Sequence, residues 1–426
     1  MEKTEEIVEE IREMIESEEF KEQHRKEEKA FSRIRILTFS RVILFILGKS
    51  VKSVQIRLNE WFEWLGGKTV SNSALTQARA NLKHTAFIAL NEVVKKIFYR
   101  DGDEQHYQGF RILAVDGSKV RLPKGEEIKK KYGSIRYSNQ KKEVKGEHNY
   151  AQVSVLYDVM NRIAIVAEFA EAIAYEVDLA IKHLSEVKKG DLVIGDRNYA
   201  SGRFIEAILS HGIDLVIRCS ASSFKVARKM LQGHGADSQI ATLKIKKEKE
   251  IKTVKVRFVR VKLSTGEYEV LVTSLLDEQS YPTEMFKELY HLRWGIETYY
   301  GLMKTRLELE NFSGKTVESI LQDFYATIFL TNLESVLIQE TESELKSKEG
   351  VKNPQQVNRQ VSFHAIKSSA IEILLSDKPI KEVLRQLKAL FMTNPTLKRE
   401  RPSEPRKEKP TRQLLHYHRT QRKHCF

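Results

Sequence analysis

Residues 290–304 read YHLRWGIETYYGLMK, a proline-free stretch whose periodicity predicts an α-helix. At about 100° per residue its polar side chains fall within an arc of roughly 60°. These are Tyr290, Arg293, Glu297 and Lys304. A carboxylate can hold a metal ion, whereas the two cations and the hydroxyl can hold phosphates. Arg293 and Glu297 also fit an ordinary i,i+4 salt bridge, so the helix alone leaves both interpretations open.

Two glycines and a tryptophan distinguish this helix from an ordinary surface helix. Gly295 and Gly301 each cost about 1 kcal/mol relative to alanine inside a helix, which predicts close approach by another chain segment or a ligand. Trp294 follows the polar edge of the wheel. We expect it in the core rather than stacked on a flipped base.

Composition indicates the class of partner. The chain has 426 residues, a net charge of +14 and a pI of about 9.4. Such a charge favours a polyanionic partner, most often nucleic acid. The only cysteines, Cys219 and Cys425, exclude a disulfide framework and a cysteine zinc site, which fits a reducing cytoplasm. The acidic N-terminus is no secretory signal and no apolar run is long enough to span a bilayer, so we expect no membrane partner.

Hydrophobic patterning divides the chain into five regions. We predict a helical, DNA-binding N-terminal domain at 1–105, a catalytic core at 106–213 and 284–345, a β-rich insertion at 214–283, a helical region at 346–395 and a basic tail at 396–426. Residues 71–83 fit either a helix-turn-helix or an ordinary helical hairpin. Their helix would expose Gln77, Arg79, Asn81 and Lys83. In the helical region, we predict helices at 355–375 and 380–391.

Two further acids follow apolar strands. FRILAV leads to Asp116-Gly117-Ser118, for which we predict a tight turn, and DLVIG leads to Asp196. Either aspartate could be an ordinary turn residue. If the two strands are neighbours, however, both carboxylates emerge at one end of the sheet. With Glu297 they supply three acids, as required by two metal ions about 3.5–4 Å apart that cleave a phosphodiester. Oxygen ligands suit Mg²⁺ or Mn²⁺.

These residues resemble a known family of bacterial insertion-sequence transposases, the DDE enzymes of the IS-four family. Its motifs are an Asp before Gly and Ser or Thr, an Asp-Arg-Gly-Tyr-like element and a Tyr-x2-Arg-x3-Glu-x6-Lys signature. The matching positions here are Asp116-Gly117-Ser118, Asp196-Arg197-Asn198-Tyr199, and Tyr290, Arg293, Glu297 and Lys304. Asn198 stands where glycine is usual. The resemblance covers the core and the insertion and is looser before 70 and after 395.

The resemblance implies a fold, a reaction and a set of site residues. The fold is α/β, with an RNase H-like mixed sheet flanked by helices. Asp116, Asp196 and Glu297 would be the catalytic metal ligands for two Mg²⁺ or Mn²⁺ ions, and Tyr290, Arg293 and Lys304 would contact phosphates. Arg197 would either contact DNA or neutralise the acids.

The function implied is cut-and-paste DNA transposition. The enzyme would bind terminal inverted repeats, cleave there and join the freed strand to target DNA. We expect a homodimer on paired double-stranded ends in a prokaryotic, nucleoid-associated cytoplasmic setting. The alternatives are an RNase H-like nuclease that does not join strands and a catalytically inactive, transposase-derived regulator.

Overall fold

The computed structural model describes residues 2–398 apart from 34, 139–143, 248–249, 264–265, 349, 351–352 and 377. Most of the predicted basic tail, from 399 onward, lies outside the described residues. Within the described part, no helix combines the length and the apolar character needed to cross a membrane.

The N-terminal region is helical, as predicted. Its helices are α1 (Glu2–Glu16), α2 (Glu18–His24), α3 (Phe39–Leu47), α4 (Val54–Trp64), α5 (Asn72–Ala80) and α6 (Thr85–Phe98). The side chains of Thr38, Ser53 and Ser71 accept hydrogen bonds from the first turns of α3, α4 and α5. Such N-caps satisfy backbone N–H groups that have no partner within the helix, which fixes where each helix begins.

A nine-stranded mixed sheet forms the centre of the molecule. Its strands are β1 (Arg111–Arg121), β2 (Ser134–Ser138), β3 (Val144–Asp158), β4 (Ile163–Glu171), β5 (Asp191–Gly195), β6 (Asp214–Cys219), β7 (Ser238–Lys247), β8 (Glu250–Lys262) and β9 (Tyr268–Thr273). Their order is β2-β3-β1-β5-β6-β9-β8-β7, and β4 also pairs with β3.

This sheet combines antiparallel and parallel pairing. Strands β4, β3 and β1 are antiparallel, whereas β5 and β6 run parallel to β1. Parallel neighbours require crossover connections, which helices usually supply. The helices of this part are α7 (Glu126–Tyr132), α8 (Glu176–His183), α9 (Gly202–Ser210) and α10 (Lys225–Leu231). Of these, α8 precedes β5 and α9 precedes β6, so the predicted mixed α/β fold is confirmed.

Strand β1 is covered on both faces. Leu113 and Val115 belong to one hydrophobic core, and Ile112 and Ala114 belong to the other. A strand buried on both sides reads as a continuous apolar run rather than an alternating one. The predicted tight turn at Asp116-Gly117-Ser118 is wrong, because β1 continues through these residues and pairs with β3 as far as Arg121.

The strand-rich segment at 214–283 extends the same sheet. Strand β6 pairs with β5, and β9 pairs with both β6 and β8. The β character predicted for this segment is therefore present, built onto the central sheet. Its boundaries as a separate domain stay a prediction.

The remaining elements follow the sheet. They are α11 (Met285–His291), α12 (Trp294–Gly301), α13 (Val317–Ser347), β10 (Gln355–Val357), α14 (Arg359–Ser368), α15 (Ala370–Leu374), α16 (Ile380–Thr393) and β11 (Pro395–Leu397). Helix α13 begins at a capping box of Thr316 and Ser319 and is largely buried. The helix predicted at 355–375 is wrong at its start, because 355–357 form a strand that pairs with β11.

Helix α5 does not present all the side chains predicted for a DNA-reading helix. Gln77 is exposed, but Arg79 is only 7% exposed. Its guanidinium donates to Asp323 Oδ1 at 2.8 Å and to Gln322 Oε1 at 2.6 Å, both on α13. The prediction that Arg79 is exposed is therefore wrong, since this cation joins α5 to the central helix.

Candidate active site

Asp116 and Asp196 lie next to each other at one edge of the sheet. The parallel pairing of β1 with β5 ends at Val115 and Gly195; Asp116 is the next residue of β1, and Asp196 follows the last residue of β5. Side chains alternate along a strand. Ala114 and Ile194 face the core to which α12 contributes, so Asp116 and Asp196 face that same side.

The surroundings of Asp116 disfavour its ionised form. Burial is the main reason that its pKa is raised to about 7, and the carboxylates of Asp196 and Glu176 add to the effect. The backbone N–H of Gly117, which donates to Asp116 Oδ1 at 2.9 Å, and the guanidinium of Arg293 act in the opposite direction. A cation bound beside Asp116 would favour its ionised form against both burial and the neighbouring carboxylates.

Asp196 caps the short 3-10 turn Arg197–Tyr199. Its Oδ1 accepts a hydrogen bond from the backbone N–H of Asn198 at 2.8 Å. Asn198 is not among the described residues with positive φ, so its backbone does not need glycine. Arg197 is exposed beside the acids, and both roles considered for it stay open.

Glu297 lies on α12 and is held by Arg293. The guanidinium Nη2 donates to Glu297 Oε1 at 2.5 Å, so the i,i+4 salt bridge considered from the sequence is present. Arg293 is 4% exposed and lies over the rings of Tyr290 and Trp294, with its Cζ 5.7 and 5.3 Å from the ring centroids. Among the described residues, no three His, Cys, Asp or Glu side chains lie close enough together to hold a metal ion.

Tyr290 and Lys304 complete the signature. Tyr290 is 5% exposed, its hydroxyl has no hydrogen-bond partner among the described residues, and burial raises its pKa. Lys304 Nζ donates to Ser118 Oγ and to the carbonyl of Lys119, each at 2.7 Å. The ammonium of Lys304 is thereby anchored to β1, beyond Asp116.

Two of the local predictions for α12 need correction. Trp294 is 42% exposed, so the expectation of a core tryptophan is wrong. At Gly295 an added Cβ would lie 3.2 Å from Val159 Cβ, which confirms a close approach there. At Gly301 an added Cβ would meet no described protein atom within 4 Å, so approach by another part of the chain is wrong there, whereas approach by a ligand stays a prediction.

The sequence did not single out two other residues beside Asp116. Tyr300 lies outside the signature, yet its hydroxyl donates to the carbonyl oxygen of Asp116 at 2.9 Å. Glu176 begins α8, accepts from Gln152 Nε2 at 3.1 Å and has its Cδ 2.9 Å from where a Cβ on Gly117 would lie. An acid in the first turn of a helix is ordinary, so nothing local marked Glu176.

Comparison with protein families identifies the class of enzyme. A family model described as the transposase DDE domain matches residues 107–333, more than half of the chain. This chain belongs to the DDE transposase family. It is therefore a DNA transposase, a metal-dependent enzyme that cleaves and transfers DNA strands.

Two further comparisons concern individual proteins. The DDE transposase chain resembles the chain in a cryo-EM structure of a piggyBac transposase synaptic complex with hairpin DNA, at 12% identity and a TM-score of 0.46. The match covers 93% of this chain and 87% of the other. A search of curated proteins found no match to this sequence.

The acids of this transposase suit the divalent ions that its family uses. Carboxylate oxygens are the ligands preferred by Mg²⁺ and Mn²⁺. Asp116 and Asp196 supply them on one face of the sheet, and burial together with the neighbouring carboxylates raises the pKa of Asp116. By donor chemistry and by charge, the residues fit a divalent cation.

Proposed function

We propose that this transposase acts on the terminal inverted repeats of an insertion sequence by a cut-and-paste reaction, with Asp116, Asp196 and Glu297 as its catalytic metal ligands. The observation that carries the proposal is the position of Asp116 and Asp196 directly beyond the last paired residues of β1 and β5, on the side of α12. Helix α12 carries the third acid. We further propose two ions, Mg²⁺ or Mn²⁺.

Arg293 controls the availability of Glu297. When bound, the ions would activate the attacking hydroxyl and stabilise the leaving oxygen. Glu297 now shares a hydrogen bond with the buried guanidinium of Arg293, while its own side chain is 39% exposed. A DNA phosphate suits a planar guanidinium as well as a carboxylate does. A phosphate bound by Arg293 would therefore release Glu297 towards the two aspartates.

The other signature residues have roles in holding DNA. Lys304, anchored at Ser118, places a positive charge beside the strand that carries Asp116. The hydroxyl of Tyr290, which has no partner among the described residues, would donate to a phosphate oxygen once the helix opens slightly towards DNA. Exposed Arg197 would contact DNA on the Asp196 side.

The motif spacing supports membership of the IS-four family. The Tyr-x2-Arg-x3-Glu-x6-Lys spacing is kept without change. Because two DNA ends must be joined, we also infer a homodimer on paired ends. We infer a prokaryotic cytoplasm, with the basic chain associated with the nucleoid. A nuclease that does not join strands and an inactive DNA-binding regulator are the alternative outcomes of the test.

The test is an assay with Mg²⁺ on duplex DNA that carries the terminal repeats of the element. We expect cleavage at the repeat and joining to a second duplex. Glu297→Ala should abolish both while DNA binding stays within about twofold, because the carboxylate acts on the metal. Glu288→Ala is the matched control, since Glu288 is an exposed acid on α11.

Three results would contradict the proposal. Nicking without joining would indicate the nuclease, and binding without cleavage would indicate the regulator. Cleavage that survives Glu297→Ala would remove Glu297 from the site. Mn²⁺ binding, followed by electron paramagnetic resonance, provides a readout besides activity and should be lost in Asp116→Asn.

A further inference from the structure

An open cleft of about 1100 Å³ lies beside the end of the signature helix. It runs between residues 49–51 of the loop after α3, the π-helical turn Leu302–Arg306, α14 and α16. The polar residues that matter here are Lys49, Arg306, Gln360, His364 and Lys367. A volume of this size exceeds that of a typical small-molecule site, about 300–1,000 Å³, and is far too small for a DNA duplex. It suits a few nucleotides of one strand.

Three cations of this cleft have no ion-pair partner among the described residues. Lys49 is 6% exposed and its Nζ donates to the carbonyl of Leu309 at 3.2 Å. Lys367 Nζ donates to the carbonyl of Lys49 at 2.9 Å, and Arg306 Nη1 donates to Gln360 Oε1 at 2.9 Å. Carbonyl and amide oxygens satisfy the donors but do not cancel the charge.

The acids of the same cleft do not restore the balance. Glu372 is bound by Lys378, and the one cation that is paired, Arg359, is held by Glu334. Glu308 and the buried Asp323 both attract Lys49, but Asp323 is already bound to Arg79. Burial also lowers the pKa of Lys49 and of Lys367 to about 8, and the ammonium of Lys49 adds to the effect on Lys367. An anion in the cleft would relieve this repulsion.

The cleft begins within one turn of the signature residue Lys304. Arg306 follows Lys304 by two residues within the same π-helical turn, and Lys304 contacts Ser118 on the strand of Asp116. Arg306 points from the other side of this turn towards Gln360 on α14, within a few nucleotides' length of Lys304.

We propose that this cleft binds the sugar–phosphate backbone of one DNA strand next to the phosphate that is cleaved. The proposal rests on the proposed function, because that function makes DNA the anion. Arg306 and Lys367 contact phosphates, Lys49 contributes charge from the floor of the cleft, and Gln360 and His364 donate hydrogen bonds from α14.

The test measures binding of a fluorescein-labelled single-stranded oligonucleotide of about 12 nucleotides by anisotropy, in EDTA, so that no cleavage occurs. Arg306→Glu should weaken binding by about tenfold or more and flatten the salt dependence, because each lost phosphate contact on a single strand changes the slope by about 0.7. Lys189→Glu is the matched control. Lys189 is exposed before β5, at the edge of the sheet opposite Asp196, and the change in charge is the same.

A second variant tests the other side of the cleft. Gln360→Glu removes the amide that Arg306 contacts and places a carboxylate on α14. We expect the same loss of oligonucleotide affinity. Equal effects of Arg306→Glu and Lys189→Glu, or no effect of either cleft variant, would overturn the proposal. Inorganic phosphate that competes as well as the oligonucleotide does would show a small-anion site instead and would also overturn it.

The experiments distinguish failure of the cleft proposal from failure of the proposed function. Glu297→Ala should bind the oligonucleotide as the parent protein does. If a variant loses cleavage but binds the oligonucleotide normally, the result tests the role of the acids and leaves the cleft proposal intact. Loss of binding in Lys189→Glu would indicate general attraction of DNA to a basic protein, which contradicts a dedicated cleft.

Discussion

At the scale of single residues, Asp116 is the acid of the proposed site whose pKa is clearly raised. Its pKa is raised to about 7 in the folded protein, against about 3.9 for an aspartate in an unfolded chain. Between these values the unfolded chain has released the proton while the folded protein keeps it. The free energy of unfolding therefore falls as pH rises from about 4 to about 7. Above pH 7 this decrease in stability is complete.

Asp116→Asn should stabilise the protein in the absence of metal ions. The amide cannot ionise, so the variant does not lose free energy of unfolding as the pH rises. We expect Tm to rise by a few degrees at pH 8 and by less at pH 5.5, as measured by scanning calorimetry in EDTA. Mg²⁺ should then raise the Tm of the parent protein but not that of the variant. A variant less stable than the parent at pH 8 would show that the carboxylate makes net favourable contacts.

Tyr290→Phe should separate stability from DNA binding. The buried hydroxyl has no partner among the described residues, and an unsatisfied buried polar group costs about 1–3 kcal/mol. Urea unfolding of the variant should show equal or higher stability. If the hydroxyl contacts a phosphate, cleavage of repeat DNA should slow by about tenfold, the equivalent of 1.4 kcal/mol. An unchanged cleavage rate would leave Tyr290 with a purely structural role.

At the scale of elements, the segment around Glu297 is more irregular than the helix predicted from its sequence. The backbone N–H groups of Leu292 and Arg293 donate to the carbonyl oxygens of Leu289 and Tyr290, three residues back, at 3.3 and 3.1 Å. The chain then loosens into the π-helical turn Leu302–Arg306. A wheel drawn at about 100° per residue represents neither change, because a 3-10 segment has about 3.0 residues per turn.

The sequence predicted elements better than the details that tertiary packing decides. The apolar runs before Asp116 and Asp196 identified two buried strands, and their adjacency followed from the fold. Asp116-Gly117-Ser118 has the composition of a turn, but all three residues pair with β3 and therefore remain part of strand β1. The contact of Tyr300 with Asp116 joins residues 184 positions apart, which no local pattern reports.

The two glycines of α12 should respond oppositely to alanine. An added Cβ at Gly301 meets open space in helical backbone, so Gly301→Ala should stabilise the protein by up to about 1 kcal/mol. At Gly295 the Cβ would press on Val159, so Gly295→Ala should offset that gain, move α12 and slow cleavage. Urea unfolding and the cleavage assay measure both. Equal stabilisation by the two changes would contradict the close approach at Val159.

At the scale of the whole molecule, α13 connects three parts of the chain. Arg79 of α5 bonds to Asp323 on α13, and Arg359 of α14 bonds to Glu334 further along it, with a donor–acceptor distance of 3.1 Å from Nε. Asp323 and Glu334 are fully buried. The N-terminal helices, the sheet and the C-terminal helices should therefore unfold together.

Arg79→Ala should be strongly destabilising. It leaves the carboxylate of Asp323 buried without its cation, a change that typically costs about 3–5 kcal/mol. Gln77→Ala, on the exposed side of the same helix, should change stability by less than about 0.5 kcal/mol. Urea unfolding followed by circular dichroism and by tryptophan fluorescence measures both. Two separate transitions in the parent protein would argue for an independent N-terminal domain.

The alternation along β1 also limits how the gene for this protein can change in length. Inserting or deleting one codon between Arg111 and Val115 would turn the carboxylate of Asp116 towards α8 and reverse every apolar contact of the strand. A two-codon change would restore the facing but move the acid away from the end of β5. Related genes should therefore keep this segment free of gaps and place their length differences in connecting loops.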